Sequence, residues 1–536
     1  MKKVLIKKDA YFDSVFLMLL SKQLKETPEV RDAVVAMGTP MNLELLIDTG
    51  YSPTDFSDAG PNDLIVAIDC ASSSAIEPAL KTAETLLSKK VAPCSGGAGK
   101  VASPRSLEGA LEILDDANLA LISLPGVYAA REARKALEKD LHVMLFSDNV
   151  SLEDEIALKT YARERGLLVM GPDCGTAIIN GVPLCFANVV RRGNIGVVAA
   201  SGTGLQEVTC LIDRFGAGVR QAIGTGGRDL KNEKVGGLTM LSAIEALAAD
   251  SETKVITIVS KPPAKSVADK VTEALEKAGK PAVVHFIGLT LDASNKGSGR
   301  VRWATNLEEA ARMATEASMG LATGNNKARE VPTPKNGIFV MGDENIKALV
   351  AQETKKMNIS QKWIRGYFTG GTLADEAWIL LHALTGAVYS NNQSDNAFVP
   401  PDPKKSIGHT IVDLGDDVFT VGRPHPMIDP STRTERVDAE REDEEIAVML
   451  VDVVLGYGSH EDPAGALLPS LVAAKKAAAK RGGYLSVVAS ITGTENDFQG
   501  YAGQKAKLEK EGIIVMPSNF QASMLAVKIM EKVVAK

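Results

Sequence analysis

The chain has 536 residues, 45% hydrophobic and 24% charged, too long for one core, so three or four domains are expected. A net charge of −7 with no basic cluster argues against a nucleic-acid partner, and no apolar run approaches a membrane span. Five cysteines (Cys70, Cys94, Cys174, Cys185, Cys210) without paired or zinc-like spacing suggest free thiols, no metal and a cytoplasmic location.

The start is basic, but Lys7, Lys8, Asp9 and Asp13 interrupt any signal-peptide core. Residues 1–95 then alternate strand and helix: VLIK, a helix over 12–25, AVVAM, a short helix over 43–47, DLIVAID and a helix over 76–88. They read as a small α/β or ferredoxin-like domain. The Gly-, Ser- and Ala-rich stretch 91–104 reads as a linker. Residues 96–190 form a Rossmann-like βαβ series of ANLALISLPG, a helix over 128–139, LHVMLFSD, a helix capped by Ser151 and Asp154, and LLVMGPDCG.

Residues 191–325 repeat the plan with strands GVVAAS, QAIGTGG, VITIVSKPP and AVVHFIG. Three of these stop at glycine- or proline-rich turns, where doubly wound sheets bind ligands. The polar tract 322–336 is a second linker. Residues 335–536 begin with GIFVMGD and a helix after YFTGGT (367–372). An irregular stretch (389–406), the loop DLGDDVFTVGRPHPMIDPSTR and an acidic run (438–445) lead to a last α/β unit. The expected fold class is α/β, with several doubly wound parallel-sheet domains.

Helix starts carry the strongest candidate chemistry. In GNIGVVAASGTGL (193–205) a buried strand runs into Ser201-Gly202-Thr203-Gly204 and then a helix, whose free amides and positive dipole end suit phosphate or carboxylate. VDVVLGYGSHEDPAG (451–465) repeats the pattern with Gly456, Gly458, Ser459 and His460, although Glu461 and Asp462 also fit an ordinary helix cap there. The turns GTGGRDL (Gly226, Gly227, Arg228), TGGTL (369–373) and SITGTEND (Thr494) are further glycine turns. In GRPHPMIDP, Arg423 and His425 lie between prolines and could bind an anion and move a proton; the alternative is a structural turn with Asp429 as a helix cap. His142 and His285 read as core residues, His409 and His460 as loop or helix-start residues, and Lys261 as a strand-end residue able to face a ligand. No GxGxxG fingerprint in the right setting and no Walker motif is present.

The run GPDCGTAI…GNIGVVAASGTGLQEV…AIGTGGRDL resembles the α subunit of succinyl-CoA synthetase, and VVLGYGSHEDPAG…SITGTEND…PSNFQASMLAV resembles that enzyme's β-subunit carboxyl-terminal domain. Over nearly its whole length the chain is similar to the FdrA family. This resemblance implies a CoA-binding Rossmann-like domain followed by two flavodoxin-like ligase domains, with phosphate held between the helix starts at Ser201 and Gly456. The stretch aligned with the family's phosphohistidine loop, GLTLDASNKGSGRVRW (288–303), contains no histidine, and the family's orienting glutamate falls near Ser260 and Lys261. No ATP-grasp domain is present. The resemblance therefore implies direct use of phosphate or carbamoyl phosphate, in a subunit of an oxamate carbamoyltransferase that converts oxalurate and phosphate to oxamate and carbamoyl phosphate. Partner subunits would complete a hetero-oligomer. The alternatives are an NDP-forming acyl-CoA synthetase using CoA and a small acid, and a non-catalytic scaffold subunit.

Overall fold

The computed structural model describes residues 1–536 except 9, 11, 13, 92–103, 105, 290–298, 321–342, 422 and 535–536. Both expected linkers, Cys94 and the expected strand GIFVMGD thus fall wholly or almost wholly outside the described residues. The chain divides into two compact units: residues 1–103 with 417–425, and residues 104–416 with 426–536.

In the first unit three antiparallel strands lie in the order Lys2–Lys7, Leu64–Cys70, Val30–Met37. The middle strand, LIVAIDC, is apolar on both faces and is covered on both. Leu64, Val66 and Ile68 pack with Leu17, Leu20, Ala79 and Ala83 of the helices Ser14–Lys25 and Ile76–Val91. Ile65 and Ala67 pack with Leu46, Tyr51 and Phe56 on the other side. A strand crossing between two others joined by a helix is the split βαβ arrangement of ferredoxin-like folds.

The second unit holds three sheets. Leu119–Ile122, His142–Leu145 and Val169–Met170 form a parallel three-stranded sheet. The seven-stranded sheet runs Val301–Trp303, Ala282–Phe286, Val255–Ser260, Ile195–Ala200, Val219–Gly224, Thr176–Ile179, Val182–Cys185. Its last two strands form a hairpin set antiparallel to Val219–Gly224. Residues 176–185, expected in the Rossmann-like series, thus complete the next sheet, because Val219–Gly224 would otherwise expose an unpaired edge. The six-stranded parallel sheet runs Val388–Tyr389, His409–Asp413, Trp363–Phe368, Ile446–Val454, Ser486–Thr492, Ile514–Met516. His409, expected in a loop, is a strand residue whose Nδ1 accepts a hydrogen bond from Ile364 N at 3.2 Å.

The two larger sheets repeat one topology. In each, the first strand (Ile195–Ala200 or Trp363–Phe368) lies between the second main strand and the third. The first strand is followed by the helix Gly202–Arg214 in one sheet and Gly371–Thr385 in the other. One apolar core joins them, with Leu205 and Leu211 from the first helix and Leu373 and Ala377 from the second. Every residue from Thr203 to Asp213 is buried, as a helix enclosed on all sides requires.

Buried carboxylates hold the halves in register. Glu207 and Glu376 each lie five residues beyond the first residue of their helix. Glu207 Oε1 accepts from the amide of Asn519 at 3.0 Å, capping the helix Asn519–Val534 of the other half. Glu376 Oε1 accepts from the amide of Leu307 at 3.1 Å and so caps the helix Leu307–Ser318 in return. Each half thus supplies the other with the anion that a buried helix start needs.

Candidate functional site

In a doubly wound sheet the crevice opens where chain connections leave adjacent strands in opposite directions. For the seven-stranded sheet this is the junction of Ile195–Ala200 with Val255–Ser260, so Ser201 and Lys261 stand at its mouth. Ser201 caps its helix, accepting from Gly204 N at 3.0 Å, and its hydroxyl also hydrogen-bonds Thr372 Oγ1. The helix start facing Ser201 is therefore that of Gly371–Thr385. Gly370, its cap residue, has no side chain to bond the first amides. A β-carbon on Gly370 would lie 2.6 Å from Thr203 Oγ1, so glycine is what lets the two helix starts meet.

Charged side chains converge over Gly371. A β-carbon there would lie 2.6 Å from Asp413 Oδ2 and 2.9 Å from both Asn392 Nδ2 and Lys261 Nζ. Lys261, 40% exposed, pairs with Asp375 Oδ2 at 3.2 Å. Burial opposes its charge, but Asp375, Asp413 and Asp173 outweigh that and hold the ammonium above its ordinary value. Asp413 accepts from Gly415 N at 2.9 Å and from Asn392 Nδ2 at 3.2 Å, and burial pushes its carboxyl up to about 6. Burial also raises Asp375, against the pull of Lys261. The crevice thus combines two helix starts, a partly exposed cation and two carboxylates that burial pushes up, Asp413 to about 6.

The predicted residues divide. Ser201, Gly202, Thr203 and Gly204 lie at this crevice. Lys261, named as able to face a ligand, joins them. Asp375, Asn392 and Asp413 were missed; a strand-end aspartate after TIV in TIVDLG was the available signal for Asp413.

Gly456 lies just past the end of the corresponding strand of the six-stranded sheet, Ile446–Val454, but there the crevice is filled. Residues 186–189 enter it: Ala187 O accepts from Tyr457 N at 2.9 Å, and Asn188 donates to Leu455 O and Asp497 Oδ2, both at 2.9 Å. Gln206, the counterpart of Asp375, donates to Asn188 Oδ1 at 3.3 Å. The amides are occupied too. Gly456 N donates to Gln499 at 3.1 Å, His460 N to Met427 O at 2.7 Å, and Asp462 N to His460 Nδ1 at 3.0 Å. The following helix, Pro463–Lys480, is capped by Asp462, as the ordinary-cap alternative has it. The expected pairing of Ser201 with Gly456 is corrected to Ser201 with Gly370–Thr372. Gly456 and Gly458 are instead needed for close packing: β-carbons on them would lie 2.6 Å from Ala187 O and from the Phe186 ring. Gly456→Ala is accordingly expected to lose about 1–3 kcal/mol of stability by overpacking, read as a fall in the denaturant midpoint. Ser459 is buried beside these glycines, and Thr494 Oγ1 donates to Val189 O at 2.7 Å, so both belong to the filled region.

The remaining candidates are engaged elsewhere. Gly226, with φ +84°, packs against Gly171 and Pro172, while Gly227 faces open space. Arg228 pairs with Glu155 at 2.8 Å and donates to Val150 O at 2.7 Å. Glu155 and Asp229 enclose the buried Lys159, each at 2.8 Å, tying the three-stranded sheet to the seven-stranded one. Arg423, exposed, and His425, half-buried, fall in the first unit. Asp429 Oδ1 accepts from Ser431 N at 3.1 Å at the start of helix Ser431–Glu440. His142 Nδ1 accepts from Leu168 N at 3.0 Å, and His285 Nδ1 lies 3.0 Å from Ala304 O.

Comparison with known proteins gives family matches along the chain. Residues 367–529 match the CoA-ligase family, residues 190–288 the CoA binding domain, and residues 1–103 the "AllF, heavy metal-associated domain". For that last description, no group of three or more His, Cys, Asp or Glu among the described residues could hold a metal ion. In the first unit the described cysteine, Cys70, is fully buried and its thiol is raised by burial, which does not fit a metal ligand. No helix among the described residues is long and apolar enough to cross a membrane. The succinate–CoA ligase [ADP-forming] subunit alpha 2 of Archaeoglobus fulgidus is 24% identical over 179 residues, 33% of this chain and 60% of that subunit. The Aquifex aeolicus subunit alpha is 28% identical over 181 residues, 32% of this chain and 57% of its own length. The solved dinucleotide-forming acetyl-coenzyme A synthetase 1 of Ca. Korarchaeum cryptofilum, in complex with phosphate and ADP, aligns with 78% of this chain and 83% of its own, at 15% identity and a TM-score of 0.28. The protein YahF of Escherichia coli (strain K12) is 44% identical over 524 residues, 98% of both chains. With two succinyl-CoA synthetase-like halves folded on each other and that identity along nearly its whole length, the chain belongs to the same family as YahF.

Proposed function

We propose that the chain is an acyl-CoA synthetase-like enzyme, an acid–thiol ligase in class, that holds an acyl phosphate at the crevice of Ser201–Thr203, Gly370–Thr372 and Lys261. The observation that carries this reading is the Lys261 ammonium set over Gly371 where two helix starts meet. Amides and ammonium fixed at that point stabilise the charge that gathers on phosphate as its bond to the acyl carbon breaks and a thiol takes the acyl group. The CoA-ligase and CoA-binding matches support a thiol acceptor of the CoA type.

A second reading rests on the absence of histidine from residues 288–303. Without a histidine there to relay a phosphoryl group, the site takes the acyl phosphate as such. Carbamoyl phosphate is one, formed from oxalurate and phosphate with partner subunits in a hetero-oligomer. The matched families favour the ligase reading.

One assay decides between them. The purified chain, alone and with co-purifying subunits, is given small acyl phosphates with CoA in one arm and oxalurate with phosphate in the other. Acyl-CoA formation is expected in the first arm; carbamoyl phosphate in the second alone would overturn the ligase reading. Ser201→Asp sets a fixed anion between the helix starts and is expected to abolish whichever activity is found. Unchanged turnover in that variant would remove the crevice from the reaction.

A further inference from the structure

We propose that the Asp413 carboxylate is a resident counter-ion at the Gly371 crevice, so that an incoming phosphate or acyl phosphate is taken up together with a proton. The inference rests on the reading that an anion binds there, and it concerns how that binding is regulated.

The geometry places Asp413 in the way. Its Oδ2 lies 2.6 Å from where a β-carbon on Gly371, the first residue of the helix Gly371–Thr385, would stand, and Lys261 Nζ lies 2.9 Å from the same point, so an anion drawn to that ammonium comes close to the carboxylate. Asp413 ends the strand His409–Asp413 and is 7% exposed. Around it stand Lys261 from the end of Val255–Ser260, Asp375 from the helix, the amide of Asn392 and the amide of Gly415. Asp173 acts on Lys261, and Lys231 on Asp375. One ammonium therefore faces two nearby carboxylates, and the helix ends supply the remaining positive potential. In the resting crevice this set is close to balanced. A dianion entering it meets two carboxylates of its own sign, and the cheapest relief is to protonate the more easily protonated one beside Gly371.

Asp413 is suited to that exchange. Burial already pushes its carboxyl up to about 6, and Lys261 only partly offsets this. An adjacent dianion raises the carboxyl further, so around pH 7–8 binding draws a proton from solution. The protonated carboxyl can then donate a hydrogen bond to the ligand instead of repelling it. Lys261 is held above its ordinary value and already carries its proton, so it is not the group that takes one up.

The test uses sulfate, which stays a dianion across the range, titrated calorimetrically into the full chain at pH 6, 7 and 8 in two buffers of different ionisation enthalpy. Wild type is expected to absorb a sizeable fraction of a proton per sulfate and to weaken by up to about tenfold per pH unit above 6. Asp413→Asn is expected to bind at pH 8 at least as tightly as wild type, with little proton uptake and little change with pH. Sulfate binding to wild type without proton uptake would overturn the coupling and leave the crevice standing. Undiminished uptake in Asp413→Asn would also overturn it, placing the proton on Asp375. Failure of sulfate to bind wild type at any pH would remove both the coupling and the crevice reading beneath it. The two-buffer measurement on wild type decides the coupling even if the variant does not fold.

Discussion

Asn519→Ala is expected to lower the stability of the folded chain by about 1.5–3 kcal/mol at pH 8, the range for losing a hydrogen bond to a charged group. Asn519 is fully buried and links the halves: its Nδ2 donates to Glu376 Oε2 at 2.8 Å and to Leu373 O at 3.0 Å. Alanine removes both bonds and opens a small cavity, while Glu376 keeps only the Leu307 amide. The effect depends on pH. Burial, with Glu207 and Glu308 adding to it, raises the Glu376 carboxyl from 4.5 to about 7. An acid raised in the fold binds its proton more tightly there than in the unfolded chain. Its contribution therefore favours the fold below about pH 4.5 and is lost as pH rises through about 7. The Asn519→Ala deficit should accordingly be largest at pH 8, where Glu376 is ionised, and smaller at pH 5.5. Glu376→Gln, neutral at every pH, should flatten this part of the stability profile, and Asn519 Oδ1, buried without a partner, can accept from the new amide after the Asn519 amide turns. Urea midpoints for both variants at the two pH values check this. Equal losses from Asn519→Ala at pH 5.5 and 8 would show that Glu376 is not the group left stranded.

Lys261→Met is expected to cut turnover in whichever arm of the assay is active by about 10²–10³-fold, the size of losing one preorganised electrostatic donor. Methionine keeps most of the length and apolar stem and removes only the charge. Stability should change little, because the pair with Asp375 is partly exposed at 40% for Lys261 and screened by solvent. Lys261→Arg keeps the charge but replaces a compact ammonium with a broad planar fork, and the space over Gly371 is already shared with Asn392 and Asp413. Partial activity is therefore expected from arginine. Full activity in Lys261→Met would remove Lys261 from the site while leaving the paired helix starts in question on their own.

The parallel sheets and the strand-to-helix start at Ser201 were legible in the sequence because they depend on local pattern, although the Gly204 amide, expected to be free, is taken by the Ser201 hydroxyl. IGVVAA followed by SGTG is a buried strand, a tight turn and a helix wherever it occurs, and the structure has Ile195–Ala200 and then Gly202–Arg214. The glycines at 456 and 458 show the limit of that kind of reading. Sequence reports that a backbone position lacks a side chain; it does not report whether a ligand or another segment comes close. Here Ala187 and Phe186 do.

Lys261, Asp375 and Asp413 illustrate the same limit from the other side. They are separated by 114 and 38 positions and sit on three different elements, and each alone is an ordinary polar residue at a strand end or on a helix. Their convergence over Gly371 follows from two sheets folding about a shared pair of helices.

By itself the sequence determined the α/β class, the succession of strands and helices, and the helix start after Ser201, all set by side chains within a few residues of one another. Only the tertiary structure decided which helix start faces Ser201, which of two equivalent crevices residues 186–189 fill, and which charges meet in the open one. Those outcomes depend on packing between segments remote in sequence, where a β-carbon's worth of space separates a filled crevice from an open one.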